Sequence, residues 1–137
     1  MHKTSFSLFL LGIGGLLTLS LPARAEDGIV AVGGEFLMRI RAASAGMTPE
    51  QRAQAVTDRL TVILGDALIR PADVRPVTAD KKTVRILVRN RLLVTVTPED
   101  GKANGLSAMQ QANVWVKQLR SVLPKINARP NPNEQNP

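Results

Sequence analysis

The sequence predicts an α+β protein, a two-layer sandwich in which antiparallel β-hairpins pack against two amphipathic helices. Three observations lead to this prediction: short segments that alternate apolar and polar residues, tight-turn residues between them, and longer segments with apolar residues at helical spacing. The expected order of elements is β-β-α-β-β-β-α. One sheet face and one face of each helix then form the core.

The first hairpin is predicted from Ile29 to Arg41. Gly33 and Gly34 form a two-residue turn of the kind that accepts positive φ angles. Because side chains alternate between the two faces of a strand, the return strand from Glu35 to Arg41 divides into two sets. The inward set is Phe36, Met38 and Ile40, and the outward set is Leu37, Arg39 and Arg41.

A helix is predicted to begin after Thr48 and to run to about Leu64. Thr48 is a suitable N-cap, Pro49 suits the first helical position, and Gln51 stands where a capping box has Glu or Gln. Arg52 lies off the apolar stripe of this helix. The stripe, which indicates the face toward the core, consists of Ala53, Val56, Leu60, Ile63 and Ala67.

Three further strands are predicted in the middle of the chain. A proline-flanked segment around Val74 favours a short edge strand. Thr83 to Arg89 and Leu92 to Val96 form a second hairpin, with Asn90-Arg91 as its turn. Alternation places Val84, Ile86, Val88, Leu92, Val94 and Val96 inward, and Arg85, Leu87, Arg89, Leu93 and Thr95 outward.

The last third of the chain predicts a short helical turn before a long helix. Thr97 and Pro98 repeat the start signals of the first helix, and Gly101 and Gly105 interrupt the short turn that they begin. Ser107 then caps the main helix, which Pro124 is expected to end. The apolar face of that helix contains Ala108, Ala112, Trp115, Leu119 and Val122. Trp115 is expected to anchor the core, with an exposed binding aromatic as the alternative.

The two ends of the chain predict export and a short tail. Lys3, the apolar stretch from Phe6 to Leu21 and the A-x-A sequence Ala23-Arg24-Ala25 form a secretory signal peptide, with cleavage after Ala25. The predicted divisions are a signal peptide at 1–25, one domain at 26–126 and a disordered tail at 127–137. We expect a periplasmic or secreted protein without a transmembrane span after cleavage.

Composition excludes several classes of function. The chain has no cysteine, and its one histidine, His2, lies in the signal peptide. The mature domain therefore lacks a Ser-His-Asp triad, a thiol nucleophile and the usual zinc ligands, and no metal or cofactor is expected. Cleavage leaves 16 basic against 11 acidic residues, a net charge of +5. This charge favours an anionic partner, and the predicted location outside the cytoplasm makes nucleic acid a poor candidate. The alternative is that the charge serves solubility alone.

The candidate binding residues are five arginines of the predicted outer sheet face: Arg39, Arg41, Arg85, Arg89 and Arg91. If both hairpins join one sheet, these side chains and the interspersed leucines form a docking surface, because arginine pairs with carboxylates and phosphates in a bidentate way. The alternative is an ordinary solvated face that discourages sheet-to-sheet aggregation. No catalytic residue is proposed, since the spacing of Asp58, Asp66 and Asp73 forces no carboxylate pair into one pocket.

Several motifs together resemble a small exported domain of cyanobacteria and other bacteria, found before the membrane segments of mechanosensitive-channel-like proteins. The similar stretches are VGGEFLMRIR at 32–41, GMTPEQRA at 46–53, LLVTVT at 92–97 and the helix that carries Trp115. No channel segment is present here. The resemblance therefore implies a separate sensory or interaction domain and carries over no catalytic residue.

These observations favour a non-enzymatic module of the cell envelope that docks an envelope protein or another anionic component through the arginine-rich face. The alternative is a small-ligand-binding sensor with a pocket between helix and sheet. A hydrolase that uses carboxylates alone is the third interpretation, and it requires two acids in one cleft.

Overall fold

The computed structural model describes residues 26–127 of the 137-residue chain. The predicted signal peptide at 1–25 and residues 128–137 of the predicted tail lie outside these residues. The elements within them are β1 (Gly28–Val32), β2 (Glu35–Ile40), α1 (Pro49–Asp66), β3 (Val74–Thr78), β4 (Val84–Val88), β5 (Arg91–Val96), α2 (Pro98–Lys102) and α3 (Ala108–Asn127), with a 3-10 turn at Pro71–Asp73 before β3. The predicted α+β class and the order of elements are confirmed.

The start of the domain agrees closely with the local signals of the sequence. Gly33 and Gly34 have φ angles of 60° and 78°, as a two-residue hairpin turn requires. The capping box between Thr48 and Gln51 is formed at the start of α1. Gly28 lets β1 lie directly on α1, because an added Cβ would overlap the carbonyl oxygen of Pro49.

The second hairpin turns one residue earlier than the sequence predicts. The residues with positive φ are Arg89 at 51° and Asn90 at 64°, and Val88 pairs with Arg91 across the turn. The backbone N–H of Arg89 donates to the carbonyl oxygen of Asp73 at 2.9 Å, and this bond holds the turn against the 3-10 segment. Arg91 therefore belongs to β5, and the predicted Asn90-Arg91 turn is wrong.

A β-bulge in β2 changes which residues face the core. Val30 pairs with Met38 and Ala31 pairs with Phe36, so Leu37 is an extra residue without a partner on β1. Leu37 and Met38 are both buried, whereas Phe36 is 48 % exposed. The predicted outward placement of Leu37 and inward placement of Phe36 are wrong, because strict alternation leaves no place for the extra residue.

A second bulge has the same effect in β5. Ile86 pairs with Val94 and Leu87 pairs with Leu92, which leaves Leu93 as the extra residue. Leu93 is fully buried, and Leu92 is 37 % exposed. Here too the predicted faces of the two leucines are exchanged. Both bulges turn two consecutive side chains toward the core and thereby enlarge the apolar contact of a short strand.

The described strands form two separate antiparallel sheets, with strand orders β1-β2 and β3-β4-β5. A single sheet carrying all five candidate arginines is therefore not formed. Both long helices contact both sheets, α1 through β1, β2 and β5, and α3 through β2, β3, β4 and β5. One apolar core lies among them, and Trp115 belongs to it at 5 % exposure, as predicted.

Helix side chains also bond to the edges of the sheets. Each of the edge strands β2, β3 and β5 has at least one backbone carbonyl oxygen that accepts a hydrogen bond from a helix. In each of these bonds a side-chain nitrogen of the helix donates to a backbone carbonyl oxygen of the strand. The bonds run from Arg52 to Thr95 (3.1 Å), from Arg59 to Leu93 (3.0 Å), from Gln118 to Phe36 (3.0 Å) and from Arg120 to Val74 (2.8 Å). The helices therefore join the two sheets, which share no strand pairing among the described residues.

Helix α3 continues past the proline that was expected to end it. Pro124 lies inside α3, and the helix runs to Asn127. A proline near the end of a helix removes only one backbone hydrogen bond. Ile126, two residues later, packs against the core and holds the last residues in helical conformation.

A buried ion pair connects α1 with α2. The Arg52 guanidinium donates to both carboxylate oxygens of Asp100, at 2.7 and 2.9 Å, and to the carbonyl oxygen of Ala42 at 2.6 Å. The Asp100 carboxylate also accepts from the backbone N–H of Thr97 at 2.9 Å. The two ionic side chains are only 6 % and 0 % exposed. Asp100 is thus a core residue and not merely a first-turn acid.

Candidate functional site

A candidate site is formed by a cleft between β2 and α3, which we call the β2–α3 cleft. Its volume is about 600 Å³, within the range of ordinary ligand sites. Three stretches line it: β2 and the residue after it, the α2–α3 connection, and α3 from Gln111 to Ser121. The lining residues are Phe36, Leu37, Met38, Arg39, Arg41, Asn104, Leu106, Gln111, Val114, Trp115, Lys117, Gln118 and Ser121.

The walls of the β2–α3 cleft are apolar and partly open to solvent. Leu37, Met38 and Trp115 are buried beneath it. Phe36 and Val114 are 48 % and 53 % exposed, although both are large hydrophobic side chains. The exposure of Phe36 results from the bulge in β2, since the extra residue turns Phe36 away from the core. An exposed apolar pair beside a concave surface is typical of a binding site.

The charged residues of the β2–α3 cleft are all basic. Arg39, Arg41 and Lys117 line it, and no described Asp or Glu does. The acid that pairs with these arginines is Asp27, whose carboxylate lies 3.9 Å from Arg39 and 3.7 Å from Arg41. The arginine side chains remain 49 % and 41 % exposed. Two arginines therefore share one exposed carboxylate, and both remain accessible to an anion.

A buried amide completes the β2–α3 cleft. Gln111 is only 2 % exposed, and its Oε1 accepts a hydrogen bond from Nδ2 of Asn104 at 2.7 Å. Among residues 26–127, Nε2 of Gln111 donates no hydrogen bond. A buried N–H donor without an acceptor costs about 1–3 kcal/mol, so such groups mark places that water or a ligand satisfies. Sequence reasoning missed Gln111, because it depends on a contact between the α2–α3 connection and α3.

A comparison with models of known protein families identifies the family of this chain but not its activity. The model of the Domain of unknown function (DUF8459) matches residues 29–125. The chain belongs to this family. No curated protein and no solved structure matches it. The family description names no activity, and the resemblance to mechanosensitive-channel-like proteins stays a prediction.

The other three candidate arginines of this DUF8459 domain lie on the second sheet, away from the β2–α3 cleft. Arg91 forms an ion pair with Asp66 at 2.6 Å. Arg89 reaches the carbonyl oxygen of Leu68 at 3.5 Å, near the end of α1. Arg85 is exposed on β4, and its charge helps to lower the pKa of Asp80. The structure thus brings Arg39 and Arg41 together at one site and places Arg85, Arg89 and Arg91 elsewhere.

The acids of the DUF8459 domain do not form a catalytic centre in its described clefts. One pair of carboxylates exists, Glu26 and Glu50. A hydrogen bond between these side chains, together with their mutual repulsion, raises the pKa of Glu50. Both residues are exposed, and neither lines one of the described clefts. The remaining candidates have structural partners: Asp58 accepts from Gln54, and Asp73 accepts from the backbone of Arg70.

Three further observations describe this DUF8459 domain. A second cleft of about 560 Å³ lies between the β3–β4 turn and the start of α3, and it carries both lysines and acids, Lys81, Lys82, Lys102, Asp80 and Glu99. In the part of the chain that the structure describes, no cluster of metal-binding side chains occurs. Among the helices of residues 26–127, none has the length and apolarity needed to cross a bilayer.

Proposed function

We propose that this protein is an exported, non-enzymatic binding module of the cell envelope and that the β2–α3 cleft is its binding site. One observation carries the proposal: the cleft combines exposed apolar walls with three basic side chains and no described acid. Such a surface attracts an anionic partner over a distance and holds its apolar groups on contact. The signal peptide that the sequence predicts at 1–25 supports a partner in the envelope.

The binding surface is narrower than the arginine-rich face that the sequence predicts. Arg39 and Arg41 line the β2–α3 cleft, beside Phe36 and Val114. Arg89 and Arg91 lie at the end of α1, where they bond to a backbone carbonyl and to Asp66. We therefore assign docking to Arg39 and Arg41 and a structural role to Arg89 and Arg91.

A protein partner suits the β2–α3 cleft better than a small molecule does. Phe36 and Val114 stay about half exposed, so a small ligand would leave part of the apolar wall in water. A chain segment that continues beyond the cleft covers both side chains. The small-ligand sensor remains the second candidate, because a concavity of about 600 Å³ has the size of ordinary ligand pockets.

Photo-crosslinking in living cells tests this function. A photoreactive residue at Val114 is expected to capture one dominant envelope protein, since that side chain lies in the wall of the cleft. The matched control is Val62, which is 60 % exposed on α1 and does not line the cleft. Equal capture at both positions, or none at Val114, contradicts a docking role for the cleft.

Two measurements address export and the alternative. The mass of the protein purified from cells is expected to correspond to a chain that begins at Glu26. A full-length chain instead argues against export. If crosslinking captures no protein while a metabolite raises the melting temperature in a saturable way, the sensor replaces the docking module.

A further inference from the structure

We infer that the ligand of the β2–α3 cleft is an acidic peptide segment with an apolar side chain between its carboxylates. This inference rests on the proposed function and specifies the chemistry of the partner. It joins three features of the cleft: the apolar wall, the basic rim of Arg39, Arg41 and Lys117, and the buried donor of Gln111.

The basic rim requires negative charge. Arg39 and Arg41 share the single carboxylate of Asp27, at distances of 3.9 and 3.7 Å that exceed a hydrogen bond. Their guanidinium groups therefore keep donors for an incoming carboxylate, which arginine binds in a bidentate way. Lys117 adds a third positive charge from α3, on the opposite side of the cleft from β2. A ligand with one acidic group facing β2 and another facing α3 pairs with all three basic side chains.

The apolar wall requires a hydrophobic group between these acids. Phe36 on β2 and Val114 on α3 are about half exposed, and Trp115 lies beneath them. A Leu or Phe side chain in the cleft packs on the cleft-facing parts of Phe36 and Val114, and the flanking peptide covers the rest of both side chains. Burial of one such side chain strengthens binding by about tenfold or more, and each charge pair at a wet rim adds up to about fivefold.

The third feature is the Nε2 donor of the buried Gln111 side chain, which lines the cleft and needs an acceptor. Its Nε2 has no acceptor among the described residues, and its orientation is set by the bond from Asn104. A backbone carbonyl oxygen of an extended peptide supplies such an acceptor beside the inserted side chain. A simple monocarboxylic acid uses its one carboxylate at the rim and has no second acceptor to offer there. This difference favours a peptide.

Binding of short synthetic peptides to the purified mature domain tests the inference. The probe carries glutamates on both sides of a central Phe-Leu pair, and two counterparts carry glutamine or lysine instead. Trp115 is the only tryptophan of the chain and lines the cleft, so its fluorescence reports occupancy. We expect a saturable change with the acidic peptide, about tenfold weaker binding with the glutamine peptide, and none with the lysine peptide.

Matched variants localise the binding. Replacing Arg39 and Arg41 together with serine is expected to weaken binding of the acidic peptide about tenfold. The same change at Arg85 and Arg89 removes equal charge outside the cleft and is expected to leave binding within about twofold. Gln111→Met keeps the side-chain size and removes the donor, and a loss of about fivefold or more is expected.

The outcomes separate the inference from the proposed function. Absence of binding by the acidic peptide, or equal binding of acidic and lysine peptides, overturns the inference. An equal effect of the two double-arginine variants overturns it as well. If crosslinking at Val114 still captures an envelope protein, the docking function stands and only the ligand chemistry is wrong. If crosslinking fails while the acidic peptide binds, the peptide chemistry stands and the envelope partner is wrong.

Discussion

Removal of the buried carboxylate in Asp100→Ala is expected to destabilise the domain severely. Arg52 donates to both oxygens of Asp100, at 2.7 and 2.9 Å, and the pair is almost completely shielded from water. The substitution leaves a buried guanidinium without its counter-charge, and such losses cost about 3–5 kcal/mol. For a domain of this size the melting temperature should fall by ~12 °C or more.

An exposed ion pair provides the matched control. Arg91 and Asp66 are 2.6 Å apart, about as close as the buried pair, but their side chains are 54 % and 55 % exposed. Asp66→Ala is therefore expected to cost at most about 1 kcal/mol. The two ion pairs are similar in length and differ in burial. Because Asp100 also accepts from the Thr97 backbone N–H, the difference between the two variants reports burial together with the lost cap.

Urea denaturation of the single variants and the double variant with Arg52→Met measures the coupling between the two residues. We expect the double variant to be more stable than the sum of the single changes predicts, with a coupling of about 2–3 kcal/mol. A methionine removes the stranded charge and fills much of the arginine volume. The reasoning is refuted if Asp100→Ala costs no more than Asp66→Ala, or if the two changes at 52 and 100 are additive.

Two further predictions concern backbone contacts and acid stability. Gly28→Ala is expected to destabilise the domain by about 2 kcal/mol or more, because the added methyl group overlaps the carbonyl oxygen of Pro49. Gly65→Ala in α1, where an added Cβ has nothing within 4 Å, should stabilise the domain by about 0.5–1 kcal/mol. Urea denaturation measures the stability of both glycine variants. Equal effects of the two substitutions contradict the close-packing argument. For acid stability, the backbone N–H groups of Lys82 and Thr83 hold the pKa of Asp80 below its usual value. A lowered folded-state pKa gives stability that is present above the unfolded value and is lost as the pH falls below about 4. Melting temperatures from pH 3 to 6 should therefore depend less on pH in Asp80→Ala, and an unchanged pH dependence would refute the role of Asp80.

Local signals in the sequence were sufficient to predict most of the elements. The Thr48 and Thr97 caps, the Gly33-Gly34 turn and the Ser107 start of α3 each depend on residues within three or four positions of one another. Their physical causes are hydrogen bonds and backbone angles that the residue type itself determines. Such features do not depend on the rest of the fold.

The errors arose where the structure departs from regular periodicity. Leu37 and Leu93 are bulge residues, and a leucine at a bulge has the same appearance in the sequence as a leucine in a regular strand. Pro124 is a strong stop signal in isolation, yet tertiary packing of Ile126 continues the helix beyond it. In each case a contact with a distant segment determined the outcome.

The candidate site was only partly predictable for the same reason. Alternation identified Arg39 and Arg41 as outward residues of β2, and the structure places both at the rim of the β2–α3 cleft. It could not identify the opposite wall, because Gln111 and Val114 meet β2 only after α3 has packed against it. Arg52 and Asp100 are 48 positions apart, and no local pattern links them.

The hydrogen bonds from helix side chains to the edge strands also bear on self-association. An edge strand with free carbonyl groups is a template on which a second chain can extend the sheet. Here Gln118 and Arg120, on the single helix α3, occupy carbonyl oxygens of both β2 and β3. Detachment of α3 would therefore expose carbonyl groups on two edge strands at once, one in each sheet. The docking of this one helix therefore helps to protect one edge of each sheet against pairing with a second chain.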